Sequence, residues 1–183
     1  YTSINYILRY KQFLLLTKKP TQLRRTIMLT RVENAQQKWG GSHTVIDKWL
    51  NERQRLIVLY CKLAGFSPSD KKDHALPEPQ QIETFCQILM DYLSAGHFEI
   101  YDDIAKACES KGPESQLLAN AIYPKITDTT DIALDFNDKY AEVDKEDLLV
   151  GFDNDLSVLG EALEARFALE DELIDNLFAN HTD

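Results

Sequence analysis

The sequence predicts an all-α protein: an antiparallel four-helix bundle with short accessory helices. Three observations lead there. Apolar residues recur at the 3.6-residue helical period over several long segments. Breaks carrying glycine or proline separate those segments. No stretch alternates apolar and polar residues as a half-buried strand does.

The elements follow in order. A first helix is expected from about Thr30 to Lys38, stopped by Gly40-Gly41. Ser42 then offers an N-cap for a long helix through Val45, Trp49, Leu56, Leu59 and Leu63, with Gly65 as its C-terminal stop. Residues 66–79 hold three prolines and read as a loop. The next helix runs from about Gln80 to Glu109, with a bend expected at Ala95-Gly96. Lys111-Gly112-Pro113 ends it, and a short helix from Glu114 to Ile122 follows. Pro124 is expected to start a separate helix reaching Ala141. The last helix, from Lys145 to Ala179, has a potential interruption at Gly151.

Charge divides the 183 residues unevenly. Residues 1–27 carry six basic residues and no acid, a net of +6. Residues 28–90 are near neutral, at +1, and residues 91–183 carry −17. The first segment also lacks an initiating Met before Met28. It reads as a basic, poorly ordered extension outside a helical domain at 28–183. A basic arm that binds nucleic acid or the acidic half of the same chain is the other reading. The acidic half repels nucleic acid and attracts basic partners, although a merely solvated acidic surface has the same composition. Cys61, Cys86 and Cys108 show no CxxC spacing, and an odd count at core-like positions suits a reducing cytosol. No segment has the roughly 20 apolar residues of a membrane span.

Catalytic chemistry is hard to find. Two-metal carboxylate bundles use Glu-x-x-His pairs, and none of His43, His74, His97 or His181 has Glu three positions earlier. ARFALED, 165–171, has a faint likeness to the HFxxEE pattern of hemerythrin-like bundles, but Arg166 stands where the ligand histidine would be. A cation there repels a metal, so no metal or other cofactor is expected. GxSxG, GxGxxG and GxxxxGK[ST] are all absent. Ser94 and His97 lie close enough along a helix for a hydrogen bond, which is the usual outcome of that spacing rather than a catalytic pair.

Glu170 stands out. It falls within the apolar stripe of the last helix, among Leu156, Leu159, Leu163, Phe167, Ile174 and Leu177. A buried carboxylate must be paired or protonated. Arg166 is one turn away, and His97 or a tyrosine from another helix could complete a polar network that fixes helix register. The alternative is a polar cavity around Glu170 serving a small-molecule-binding protein or an enzyme.

A second oddity is DYLSAGHFEIYDD, 91–103. Ile82, Phe85, Cys86, Leu89, Leu93, Ile100 and Ile104 form its apolar stripe, yet Phe98 falls on the opposite side with Asp91, Ser94 and Asp102. An aromatic among acids has the makeup of an interface anchor. A helix buried on two sides, with Tyr92 and Tyr101 widening the apolar arc, is the other explanation.

Three segments, VIDKWLNERQRLIVLY (45–60), FCQILMDYLSAGHFEIYDDI (85–104) and LGEALEARFALEDELI (159–174), together resemble the regulator of sigma D and AlgQ family of bacterial anti-sigma factors. The resemblance covers about 28–183 and leaves out residues 1–27. It implies a noncatalytic, cytoplasmic, stationary-phase regulator that binds region 4 of the primary sigma factor in a 1:1 complex. Such binding would hinder use of core RNA polymerase and of −35 promoter elements and would favour alternative sigma factors. It also implies a link to the phosphocarrier HPr, and no direct contact with nucleic acid or membrane. The sigma-contacting surface of the family maps here onto Asp91, Ser94 and Phe98, with Val45 and Trp49 as neighbours.

Overall fold

A computed structural model of the chain describes residues 26–41, 44–65, 77–101, 113–142 and 151–178. Five helices and no strand occur among them: α1 (26–39), α2 (Thr44–Leu63), α3 (Pro79–Ala95), α4 (Pro113–Tyr140) and α5 (Phe152–Phe178). A π turn, Gly96–Ile100, continues α3. The chain is therefore all-α in every described segment. Ser42, Asp102, Ile104 and most of the basic N-terminal segment lie outside the described residues, whereas Thr26 and Ile27 already belong to α1.

The helix ends follow local chemistry. Gly65 and Gly151 have φ of 70° and 83°, the left-handed region that a side chain disfavours, and they bound α2 and α5 respectively. Pro79 opens α3 at a position that needs no backbone N–H, and the Gln81 side chain accepts a bond from the Glu78 N–H at 3.2 Å.

Pro124 does not divide the chain as expected. α4 runs through it without interruption. The ring removes one intrahelical bond, but Pro124 is exposed, so water can satisfy the freed carbonyl. Apolar anchoring on both sides, by Ala119, Ile122, Ile126 and Ala133, holds the two halves on one axis.

Helix directions can be read from side-chain pairs. Ser115 donates to Asn176 at 3.3 Å, and Tyr140 donates to Asp155 at 2.7 Å, so α4 and α5 run antiparallel. Phe85 meets Phe136 edge-on, and Tyr101 meets Tyr123, which sets α3 against α4 in the same way. Tyr60 lies against Gly160, and Arg53 pairs with Glu170 and Asp171, so α2 opposes α5. α1 buries Met28, Val32, Ala35 and Trp39, one residue per turn, and ties to α5 through Arg31–Asp171 and Lys38–Asp175. An aromatic cluster of Phe85, Phe136, Tyr140 and Phe152 fills one end of the core.

Cys61 and Cys86 are buried and take part in no disulfide, and Cys108 lies outside the described residues. Burial pushes the Cys86 thiol up to about 12. Only about one Cys86 in ten thousand is then thiolate at pH 8, against roughly one in four for an ordinary thiol. Alkylation of Cys86 in the folded protein, followed by peptide mass mapping, should be slower by a factor of about a thousand than in denaturant. Equal rates in the two states would show that this part of α3 is open to solvent.

Candidate protein-binding surface and its buried polar support

The centre of the molecule is a charged network in an apolar shell. α2 presents Ile46, Trp49, Leu50, Leu56, Ile57 and Tyr60 inward, and Arg53 shares that face with no exposure at all. α5 brings Arg166 and Glu170 inward between Leu163, Phe167 and Ile174. α3 contributes Tyr92, and Tyr101 follows the π turn.

Glu170 takes two bonds on each carboxylate oxygen. Oε2 accepts from Arg53 Nη2 at 3.1 Å and from the Tyr92 hydroxyl. Oε1 accepts from Arg166 Nε at 2.8 Å and from the Tyr101 hydroxyl at 2.8 Å. Each arginine also reaches the carboxylate indirectly, since Arg53 Nε donates to the Tyr92 hydroxyl and Arg166 Nη2 to the Tyr101 hydroxyl. The result is two matching rings that share one carboxylate. Arg53 Nη1 continues to Asp171 at 2.5 Å, and Arg166 Nη1 to Thr130 at 2.7 Å and Thr129 at 3.2 Å. Two guanidiniums thus face two carboxylates, and the network joins α2, α3, α4 and α5.

Burial governs how these groups titrate. It works against the charged Arg53, but Tyr92, Glu170 and Asp171 around it prevail and raise it above its ordinary value. Arg166 behaves likewise beside Glu170 and Tyr101. Burial also pushes Tyr92 and Tyr101 well up, so both remain neutral donors. It raises Asp171, and Arg53 draws that carboxyl back only in part.

The Glu170 carboxylate, with two donors on each oxygen, has no lone pair left for acid–base work or for a metal. No group of three His, Cys, Asp or Glu among the described residues is placed to hold a metal ion. The arrangement does what a satisfied buried network does: it penalises every helix register but one. Arg53 was not among the residues expected in the network. The missed signal was a cation lying in the apolar stripe of α2, the counterpart of Glu170 in the stripe of α5.

The residues expected at a partner surface separate in the structure. Asp91 and Ser94 are exposed on α3, and Val45 on α2 is half-buried. The Phe98 side chain lies outside the described residues. Trp49, expected on the contacting surface, is 2% exposed. Its indole stacks on Tyr92 with ring centroids 5.6 Å apart and planes at 9°, meets Tyr101 edge-on at 6.0 Å, and carries the Arg53 guanidinium 5.2 Å from its ring centre. Inward stacking rather than outward display is the favourable use of so large an apolar ring, so Trp49 is a core residue and not part of an outward face. His97, expected in the network, is exposed on the π turn, while the fully buried Glu170 takes both its cationic partners from Arg53 and Arg166. Arg166 and Glu170 do pair, one turn apart on α5.

Comparison with known proteins finds relatives over most of the chain. A family model described as the regulator of RNA polymerase sigma(70) subunit, Rsd/AlgQ, matches residues 28–178. A Yersinia enterocolitica protein named regulator of sigma D is 42% identical over 148 residues, which is 80% of this chain and 88% of that one. A protein of the same name from Salmonella arizonae is 43% identical over 150 residues, covering 80% and 90% respectively. One from Yersinia pseudotuberculosis is 40% identical over 148 residues, or 80% and 87%.

Proposed function

The chain belongs to the Rsd/AlgQ family of regulators of the RNA polymerase sigma(70) subunit, and from that premise we propose that it is a noncatalytic anti-sigma factor. In this reading it binds region 4 of the primary sigma factor in the cytoplasm, as a 1:1 complex. Region 4 is then kept from core polymerase and from −35 elements, and alternative sigma factors gain. The long helices form an antiparallel four-helix bundle whose α3 side meets the partner through Asp91, Ser94 and Phe98, with Val45 at the edge.

The observation that carries the reading is the family match across 28–178, which includes the whole of α3 and its π turn. Charge supports it, because residues 91–183 carry a net −17 and a DNA-reading domain is basic. The competing reading, a small-molecule site or enzyme around Glu170, is opposed by geometry: both oxygens are filled by protein donors and the residue is wholly buried.

Titration against isolated sigma region 4 tests the proposal. Phe98→Ala should cost roughly 2 kcal/mol of binding, the scale of an aromatic hot spot. Asp91→Ala should weaken binding more mildly, mainly through a slower association rate, and should leave the melting midpoint unchanged. Wild-type affinity in both variants would remove α3 from the interface.

A further inference from the structure

We propose that Tyr101 is a positioning residue for partner binding: the π turn swings its hydroxyl onto Glu170, and that bond locks the register of the surface that begins at Asp91 and Ser94. The inference rests on reading that surface as the partner-binding one.

The argument starts from helix geometry. Tyr92 and Tyr101 are nine residues apart. At about 100° per residue, an unbroken α-helix would place them about 180° apart, on opposite faces. Both hydroxyls nevertheless bond the same carboxylate, one to each oxygen. The π turn removes the conflict. The Tyr101 N–H bonds the Gly96 carbonyl, five residues back, so one residue is absorbed in the wider turn. Eight α-helical steps remain, and the two tyrosines stand about 80° apart, within reach of a common acceptor. Helical side chains lean toward the N-terminus, which brings the Tyr101 ring back toward Tyr92.

Gly96 leaves room for this. A Cβ there would lie 3.1 Å from the Tyr101 hydroxyl oxygen, 3.2 Å from its Cζ and 3.6 Å from the Trp49 ring. The ring of Tyr101 occupies the space a side chain at 96 would claim. π turns are rare within α-helices, a sign that they cost more than continued α-helix, and they recur at functional sites. Here the cost is offset by the second tyrosine bond to Glu170 and by the bond from Arg166 Nη2 to the Tyr101 hydroxyl at 2.8 Å.

The consequence for binding is geometric. Asp91 and Ser94 precede the turn and stay with α3, whereas positions 97–100 lie within it. Relaxation of the turn to α-helix would rotate everything beyond it by about 100° relative to Asp91 and Ser94. A partner touching both sides of the turn would therefore sense whether Tyr101 holds Glu170.

The test uses the full chain as wild type, Tyr101→Phe, Asp91→Ala and the double variant, with two readouts. Hydrogen exchange on the free proteins should show Tyr101→Phe speeding the amides of 97–101 at least about tenfold, with the α4 and α5 amides unchanged. Titration against sigma region 4 should show Tyr101→Phe weakening binding about tenfold, and the Asp91→Ala penalty shrinking from roughly fivefold to under about twofold in the Tyr101→Phe background. A variant that merely unfolds more would leave the Asp91 penalty intact. Unchanged exchange at 97–101, or penalties that simply multiply, overturns the proposal. A wild-type chain that fails to bind region 4 overturns the functional reading and the role in binding, and exchange then judges the lock alone. If Tyr101→Phe does not fold, Gly96→Ala, which presses on the same ring, takes its place with the same expected and overturning results.

Discussion

Glu170→Ala is expected to lower stability by roughly 3–5 kcal/mol, the cost of stripping one partner from a buried ion pair. The loss is large because the carboxylate serves two cations. Without it, Arg53 and Arg166 face each other across the core at 0% and 1% exposure, and the Tyr92 and Tyr101 hydroxyls lose their acceptor. Asp171 would still hold Arg53, but it reaches only one edge of that guanidinium and is itself partly solvated. For a chain of this size the melting midpoint should fall by roughly 10–15 °C. The exposed Lys38–Asp175 pair sets the contrast, because Asp175→Ala should change stability by less than about 1 kcal/mol. Urea unfolding of both variants measures the difference. A Glu170→Ala protein that melts with wild type would mean that water already reaches the two arginines, and the network would lose its part in fixing the helices.

That carboxylate also shows how far the sequence could be read. Periodicity identified the inward faces well: Ile82, Phe85, Cys86, Leu89, Leu93 and Ile100 on one segment, and Leu156, Leu159, Leu163, Phe167 and Ile174 on another, are all buried. It also marked Glu170 as a buried acid, because a charge within an apolar stripe is visible in one helix alone. What periodicity cannot give is the partner, which depends on how two helices face each other. Arg53 went unnoticed for that reason, although it lies in the stripe of α2 four residues after Trp49 and three before Leu56. Trp49 was misplaced for a related reason. A tryptophan on an amphipathic helix fits an interface as well as a core until the stacking rings of Tyr92 and Tyr101 are in place. Pro124 misled in the opposite direction, since its local cost is real but small on a solvent face flanked by buried anchors. At Ala95-Gly96, where a bend was expected, the structure has a π turn beginning at Gly96, which local sequence does not distinguish from continued α-helix.

Gly160→Ala should destabilise the protein by roughly 1–2 kcal/mol, against the direction that helix propensity predicts. In the interior of an exposed helix, replacing Gly with Ala stabilises by about 1 kcal/mol. Gly160 is within α5 and buried, and an added Cβ would lie 2.0 Å from the Tyr60 hydroxyl oxygen, 2.6 Å from Cζ and 3.1 Å from Cε2. Those distances are too short for any packed contact, so either the Tyr60 ring or the α2 backbone must move. The ring has little freedom, being 1% exposed on the inward face of α2. Overpacking of this kind typically costs about 1–3 kcal/mol, toward the upper end at distances this short, and the propensity gain of about 1 kcal/mol offsets part of it. The effect should depend on the ring. In a Tyr60→Leu background, itself destabilised by loss of buried ring area, Gly160→Ala should become neutral or stabilising. Urea unfolding of the two single variants and the double variant gives the coupling directly. A Gly160→Ala protein that melts above wild type would show that α2 and α5 do not approach this closely at Tyr60.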